Sequence, residues 1–350
     1  MTSRPLKVML VGDYRYSMYE DAFQKGFEVA GAEVVPFKID PYFANSSVAR
    51  IEKRAFWGPA IGKLNRDLFD EFYRHDPDAV FFFFPIFIKP QTVAAIKRHR
   101  ANVPFAAYNH DNPFVDRRRH TMFRWYEKVM KLVDVNYFVR ESTRQYAEDL
   151  GARRCRIMLQ YYAEEIHQPI SPTRDEFDVD MIFIGHFEPD GRLAYMRRLQ
   201  EGGVDLHVYG SGWRDVVERG WLANSRDRRL FDREYSEAIS GAKLGISFLS
   251  TLNEDVQTTR NFEIPACGTA MLAPRTPELL QLFREDVDAI FFSSEEELLE
   301  KSRRYLADDA AREKIARNGL ARVKGVHSNH ARAKQAYDDF NALLRNGMND

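Results

Sequence analysis

Arg260 and Glu263, in the stretch TTRNFEIPACGTAMLAP at 258–274, have types and spacing that point to chemistry. Set three apart, they share one face if the segment is helical. A guanidinium at a helix start can meet a diphosphate through a forked, charge-assisted contact. A carboxylate one turn later can accept hydrogen bonds from the hydroxyls of a ribose. The competing reading is that the two side chains pair with each other on a solvated face. Spacing leaves both open.

Weaker candidates follow other turns. Gly185, in IGHFEPDGR, would let backbone approach phosphates, with Arg192 behind it as counter-charge; a plain strand-to-helix turn is the alternative. Ser211 and Trp213, in YGSGW, could edge or stack on a base, or the tryptophan could belong to the core. Near the N-terminus, Asp13 opens the aromatic and basic cluster Tyr14, Arg15, Tyr16 and Tyr19, which would suit a sugar-stacking surface. His110 and Asp111, in YNHDNPF, could supply a general base. Gly12 in VGDYRYS does not make a dinucleotide fingerprint, and neither a GxxxxGK[ST] phosphate loop nor a GxSxG elbow occurs. Asp76/Asp78, Asp178/Asp180 and Asp286/Asp288 form three Asp-x-Asp pairs. Each precedes a strand-like run, which puts it at the amino edge of a sheet, so no metal site is expected. Cys155 and Cys267 make no zinc cluster or disulfide framework, and Cys267 reads as a packing residue.

Positioning these residues requires strands that end beside them. Strand-like runs at 6–11, 34–39, 79–84, 104–108, 135–139 and 156–160 alternate with helical spacing at 22–30, 60–74, 92–100, 117–131 and 142–150. The pattern lapses at 161–178, where prolines cluster, and a domain junction is expected there. A second series follows, with strands at 181–184, 206–209, 244–248, 270–273 and 289–292, and three helices end the chain. Such alternation predicts parallel sheets covered on both faces. Ligands of doubly wound sheets sit at the carboxyl ends of the strands, and the candidate turns all fall there.

A chain of 350 residues suits two domains. Its 51 basic and 52 acidic residues give a net charge of −1, which offers no footprint for nucleic acid. The longest apolar run, at 79–88, is far short of the roughly 20 residues needed to span a bilayer. The N-terminus enters a strand at once, without the pattern of a signal peptide, so a cytoplasmic protein is expected.

RNFEIPACGTAMLAPRTPELLQLF, followed by DAIFFSSEEELLEKSRRYLADDAAREKIARNGLARV, resembles the C-terminal half of the CgeB-like glycosyltransferases, within the GT-B class. DMIFIGHFEPDGR and LHVYGSGW fit the same pattern, and the match covers most of 179–323. Over the first half it rests on element order and on 108–113. The resemblance implies an α/β GT-B fold, with two Rossmann-like domains facing across a cleft. The acceptor domain would be 1–170 and the donor domain 171–328, and a helix at 329–350 would cross back to the first domain. It also implies transfer of a sugar from a nucleotide diphosphate sugar to a hydroxyl of a glycan, lipid or small molecule, without a metal or other cofactor. Related enzymes carry a Glu, seven residues, then a second Glu that holds the ribose. Glu263 matches the second. The first, which approaches the sugar, is here Asp255, shorter by one methylene with the charge kept.

The implied donor residues are therefore Gly185, Arg192, Ser211, Trp213, Arg260, Asn261 and Glu263. Asp255, His110 and Asp111 would be catalytic, and Asp13, Tyr14, Arg15, Tyr16 and Tyr19 would bind the acceptor. Rival readings are a non-hydrolysing nucleotide-sugar epimerase of the same fold and a non-catalytic two-lobed binder.

Overall fold

Short buried strands, joined by helices, fold into two parallel six-stranded sheets. The computed structural model describes residues 4–115 and 121–346. The chain divides into two units, Met1–Leu159 with Asn329–Asp350, and Gln160–Ser328. The boundary comes before the proline cluster of 161–178. Residues just past Gln160 already bond inside the second unit: Tyr162 N donates to His327 O (3.1 Å), and Ile170 N to Ser240 Oγ (3.2 Å).

In the first unit the sheet order is β2-β1-β3-β4-β5-β6. The strands are β1 (Lys7–Gly12), β2 (Glu33–Lys38), β3 (Ala79–Phe83), β4 (Phe105–Asn109), β5 (Val135–Phe138) and β6 (Cys155–Ile157). Every residue of β3 is buried, as a strand covered on both faces requires. Period-two alternation sends Phe81 and Phe83 to one face, against Phe23 at 5.1 and 5.3 Å between ring centroids. Phe82 goes to the other, against Phe105 at 5.7 Å. Helix α1 (Ala22–Val29) supplies Phe23, and α2 (Ser47–Ala55) follows β2.

The second sheet has the order β12-β11-β10-β7-β8-β9. Its strands are β7 (Val179–Ile184), β8 (Leu206–Tyr209), β9 (Asn224–Arg226), β10 (Ala242–Ile246), β11 (Ala270–Pro274) and β12 (Ile290–Phe292). Helices α3 (Arg192–Glu201) and α4 (Arg260–Ala266) leave its carboxyl edge. The last helix, α5 (Asn329–Asn346), lies in the first unit. There Asn329 Nδ2 donates to Ala22 O (2.7 Å), and Tyr137 Oη donates to Asp339 (2.6 Å).

Helix α2 and strand β9 are not foreseen in the sequence. Of the helix expected over 117–131, residues 117–120 lie outside the described residues, and the described part is helical only at Tyr126–Met130. The Asp-x-Asp pairs bind cations and backbone near strand starts. Asp78 takes Arg4 and the N–H of Lys7, Asp180 takes Lys243 (2.8 Å), and Asp288 takes Arg284 (2.8 Å). Among the described residues no group of three or more His, Cys, Asp or Glu is placed to hold a metal ion. No helix among them is long and apolar enough to cross a membrane.

Candidate functional site

At the carboxyl edge of the second sheet, the turns after β7 and β8 touch through backbone. Gly210 has φ +149°, and a Cβ there would lie 1.9 Å from the carbonyl oxygen of Gly185. Only glycine fits that approach. The same carbonyl accepts a hydrogen bond from Trp213 Nε1 (2.8 Å). A Cβ on Gly185 would meet Phe183 Cζ at 2.6 Å and Arg260 Cζ at 3.3 Å. Gly185, Trp213 and Arg260 therefore form one cluster. Ser211 belongs to it as well: its Oγ lies 3.0 Å from His186 Nδ1, and its carbonyl accepts the N–H of Phe187 (2.9 Å).

Arg260 is held over the ring of Phe183, 5.7 Å from the centroid. Its Nε is buried without a hydrogen-bond partner, and among the described residues no carboxylate lies within ion-pair range of its guanidinium. Of the two readings the spacing left open, the surface pair between Arg260 and Glu263 does not form. Glu263 is 1% exposed. Its Oε2 accepts the Tyr235 hydroxyl (2.6 Å), and its Oε1, 3.9 Å from His167 Nε2, has no hydrogen bond. Burial holds His167 below its ordinary pKa despite that neighbour, and raises the Tyr235 phenol well above its own. Gln257, 2% exposed, also carries a buried Oε1 without a partner. Three unspent polar atoms thus fall between positions 257 and 263, and such atoms call for an explanation.

Other residues of the donor set act on the scaffold. Arg192 is buried and grips Asp190 through Nε (2.7 Å) and Nη2 (2.5 Å), while Nη1 donates to His186 O (2.8 Å). Its charge is neutralised two residues away, so it clamps the turn after β7 instead of standing behind it as a free cation. Trp213 is fully buried, with Phe183 and Phe187 against its ring, which leaves no face for a base to stack on. Asn261 is fully buried: its Oδ1 accepts Thr258 N (2.8 Å) and its Nδ2 donates to Ser247 Oγ (3.2 Å), locking the entry to α4. The N–H groups of Asn261, Phe262 and Glu263 bond to Thr258 and Thr259 carbonyls, so these three are not open to a phosphate. Asp255 lies in the preceding turn, where Asn253 Nδ2 donates to its Oδ1 (2.7 Å). Burial pushes the Cys267 thiol up to about 12 and the Cys155 thiol to about 11, so neither supplies a thiolate nucleophile.

The first unit brings its candidates together differently. His110 is sandwiched between Tyr19 (5.4 Å between centroids, 12°) and Phe84 (4.7 Å, 21°). Asp111 N donates to Asn109 Oδ1 (3.2 Å). Tyr16 meets Tyr19 edge-on at 6.2 Å, and Arg15 lies over Tyr16 at 5.3 Å. Tyr14, at φ +56°, turns toward Gln24 and Lys38. Asp13 and Arg15 line a cavity of about 580 Å³, together with residues the sequence reading missed: Glu20, three basic residues of α2, and Phe56, Phe84 and Phe87. The signal available for α2 was Arg50, Lys53 and Arg54 at helical spacing. Nothing local marks Tyr235 or His167, which reach Glu263 from far along the chain.

Parallel strand order in both sheets, with clusters at the carboxyl edges, defines a GT-B architecture, and solved structures agree. The chain is similar to sucrose-phosphate synthase from Thermosynechococcus elongatus at TM-score 0.71 and 14% identity, covering 97% of this chain and 99% of that one. Similar too are HepE from Anabaena, solved with UDP and glucose (0.64, 13%, 96% and 100%), and a glycosyltransferase from Rickettsia africae (0.68, 10%, 98% and 100%). Identities this low establish the fold alone. Residues 192–338 match the glycosyl transferase-like family model. Curated proteins give no sequence match.

Proposed function

We propose that the protein is a glycosyltransferase moving a sugar from a nucleotide diphosphate sugar to an acceptor hydroxyl, with CgeB-like proteins as its kin. The second unit would take the donor and the first the acceptor. The observation carrying this reading is Arg260: a half-buried guanidinium beside Gly185, with no carboxylate partner among the described residues, in the segment that also leaves Gln257 and Glu263 oxygens unspent. A diphosphate on Arg260 gains a forked contact at a site already partly desolvated. Its charge grows as the glycosidic bond breaks, so the contact strengthens toward the transition state. Glu263 Oε1 is the acceptor atom assigned to a ribose hydroxyl. Asp255 is assigned to the sugar, and His110, oriented by Tyr19 and Phe84, to the acceptor proton, with Asp111 beside it. Arg192 enters only as the clamp of the Gly185 turn. HepE, of the same fold, is solved with UDP and glucose, which agrees with a uridine nucleotide. We read the reaction as metal-independent and the protein as cytoplasmic.

Thermal shift with UDP, GDP, TDP and CMP tests the donor assignment: a nucleotide at 100 times its Kd adds about 2.7 kcal/mol. Stabilisation by one diphosphate, lost in Arg260→Ala, is expected. Incubation of donor without acceptor then separates transfer from epimerisation, because only an epimerase interconverts stereoisomers of the donor alone. Persistence of transfer in excess EDTA is expected, and loss restored by Mn²⁺ or Mg²⁺ would overturn the metal-free assignment.

A further inference from the structure

The cavity at the carboxyl edge of the first sheet has a charge pattern that the overall composition does not predict. The chain is balanced at 51 basic against 52 acidic residues, yet Arg15, Arg50, Lys53 and Arg54 all line this one cavity. Lys53 is already occupied, at 3.0 Å from Asp13 and 3.1 Å from Asp40. The three arginines are not. Arg50 Nη2 donates to the Ser47 hydroxyl (3.0 Å), and Arg15 lies over the Tyr16 ring. Among the described residues no carboxylate stands within ion-pair range of Arg15, Arg50 or Arg54. The lining also includes three aromatic rings, those of Phe56, Phe84 and Phe87.

The backbone around this cavity is held in costly shapes. Phe56 (φ +51°), Phe84 (φ +54°) and Tyr14 (φ +56°) occupy the left-handed region, which bulky residues rarely adopt and which gathers at functional sites. Ser17–Asp21 forms a π-helical turn, another feature common at such sites. That turn carries Glu20, 4% exposed, whose Oε1 accepts Asp13 N (2.8 Å), into the same lining.

We infer that this cavity binds the acceptor through a phosphate group, with the phosphate on Arg15, Arg50 and Arg54 and the acceptor's body against Phe56, Phe84 and Phe87. Guanidinium forks match phosphate oxygens better than point charges do, and aromatic walls suit a sugar ring or an apolar body. The inference deepens the proposed function and rests on it for the word acceptor. The phosphate belongs either to a soluble ester or to a lipid headgroup. The second source has a physical basis, because Val48, Ile51 and Trp57 present exposed apolar side chains around the same arginines.

Calorimetric titration of the full chain with glycerol 3-phosphate, glycerol and UDP decides the matter, alongside co-sedimentation with phosphatidylcholine vesicles with or without phosphatidic acid. A soluble source predicts binding of glycerol 3-phosphate but not glycerol. A lipid source predicts sedimentation only with phosphatidic acid. In either case the Arg50→Gln/Arg54→Gln protein, and separately Arg15→Gln, should bind at least about tenfold more weakly, with UDP affinity unchanged. All three side chains are exposed, so the fold should persist, and circular dichroism verifies it. No binding of either probe, binding unchanged by these substitutions, or binding abolished by UDP would overturn the inference. Failure of UDP to bind, with phosphate binding intact, would instead strike the donor assignment and leave this site standing.

Discussion

The carboxyl edges of the two sheets are built in opposite ways. In the second unit the edge is made of backbone. Gly185 and Gly210 are pressed together, Trp213 pins the Gly185 carbonyl, and one uncommitted guanidinium lies alongside. In the first unit the edge is made of side chains, with aromatic rings, three arginines that have no carboxylate partner among the described residues, and a buried carboxylate at Glu20. A backbone-built edge suits a group common to all donors, the diphosphate. A side-chain-built edge can vary with the acceptor. On the proposed assignment of donor and acceptor, specificity would belong to the first unit.

The largest expected effect breaks the backbone edge. Gly210→Ala places a methyl 1.9 Å from the Gly185 oxygen at φ +149°, so strain and repacking together should cost on the order of 3 kcal/mol or more. Chemical denaturation measures it, and a loss below about 1 kcal/mol would show that the two turns are not locked. A comparable effect, of opposite sign, sharpens the side-chain edge. Burial raises the Glu20 carboxyl from 4.5 to about 7. Because the folded value lies above the unfolded one, the native state binds the extra proton, and stability falls as pH rises from about 4.5 to 7. At about 1.36 kcal/mol per pH unit, the upper limit is about 3 kcal/mol. Glu20→Gln, which keeps an acceptor for Asp13 N, should therefore be more stable than the parent at pH 8 and equal to it below pH 4.5. Denaturation midpoints at the two pH values check this, and an unchanged difference would contradict it. Trp213→Phe is the smallest of the three: leaving the Gly185 carbonyl without its indole donor should cost about 1–3 kcal/mol, with the ring packing largely kept.

How much of this the sequence made legible follows the same division. Arg260, Glu263 and Gly185 could be singled out as candidates because the signals for them are local: a helical spacing and a glycine at a strand end. The sequence left open whether Arg260 and Glu263 pair, and tertiary structure answers it by burying Glu263 against Tyr235. Arg192 looked like a free cation because the two-residue reach back to Asp190 is a matter of loop geometry. Helix α2 escaped notice because Val48 and Ile51, its large apolar residues, face outward and only Ala49 is buried, so no stripe of large apolar residues marks a core-facing side. Only its start was marked, by Ser46 as N-cap; its end falls at Phe56, in a left-handed conformation that no glycine or asparagine announces. With α2 unseen, the arginines of the cavity had no element to carry them.

The proposed donor site makes the Arg260 guanidinium, which has no carboxylate partner among the described residues, the diphosphate ligand and Glu263 its ribose-binding companion. Titrating UDP into the folded parent, Arg260→Ala and Glu263→Gln proteins, by calorimetry, tests it most directly. The account predicts that Arg260→Ala weakens UDP by about 10- to 150-fold, matching the loss of a charge-assisted contact worth about 1.5–3 kcal/mol. Arg260→Lys should recover only part of it, and Glu263→Gln should weaken the nucleotide as well. Parent-like UDP affinity in both Arg260→Ala and Glu263→Gln would contradict the account and move the donor away from this edge.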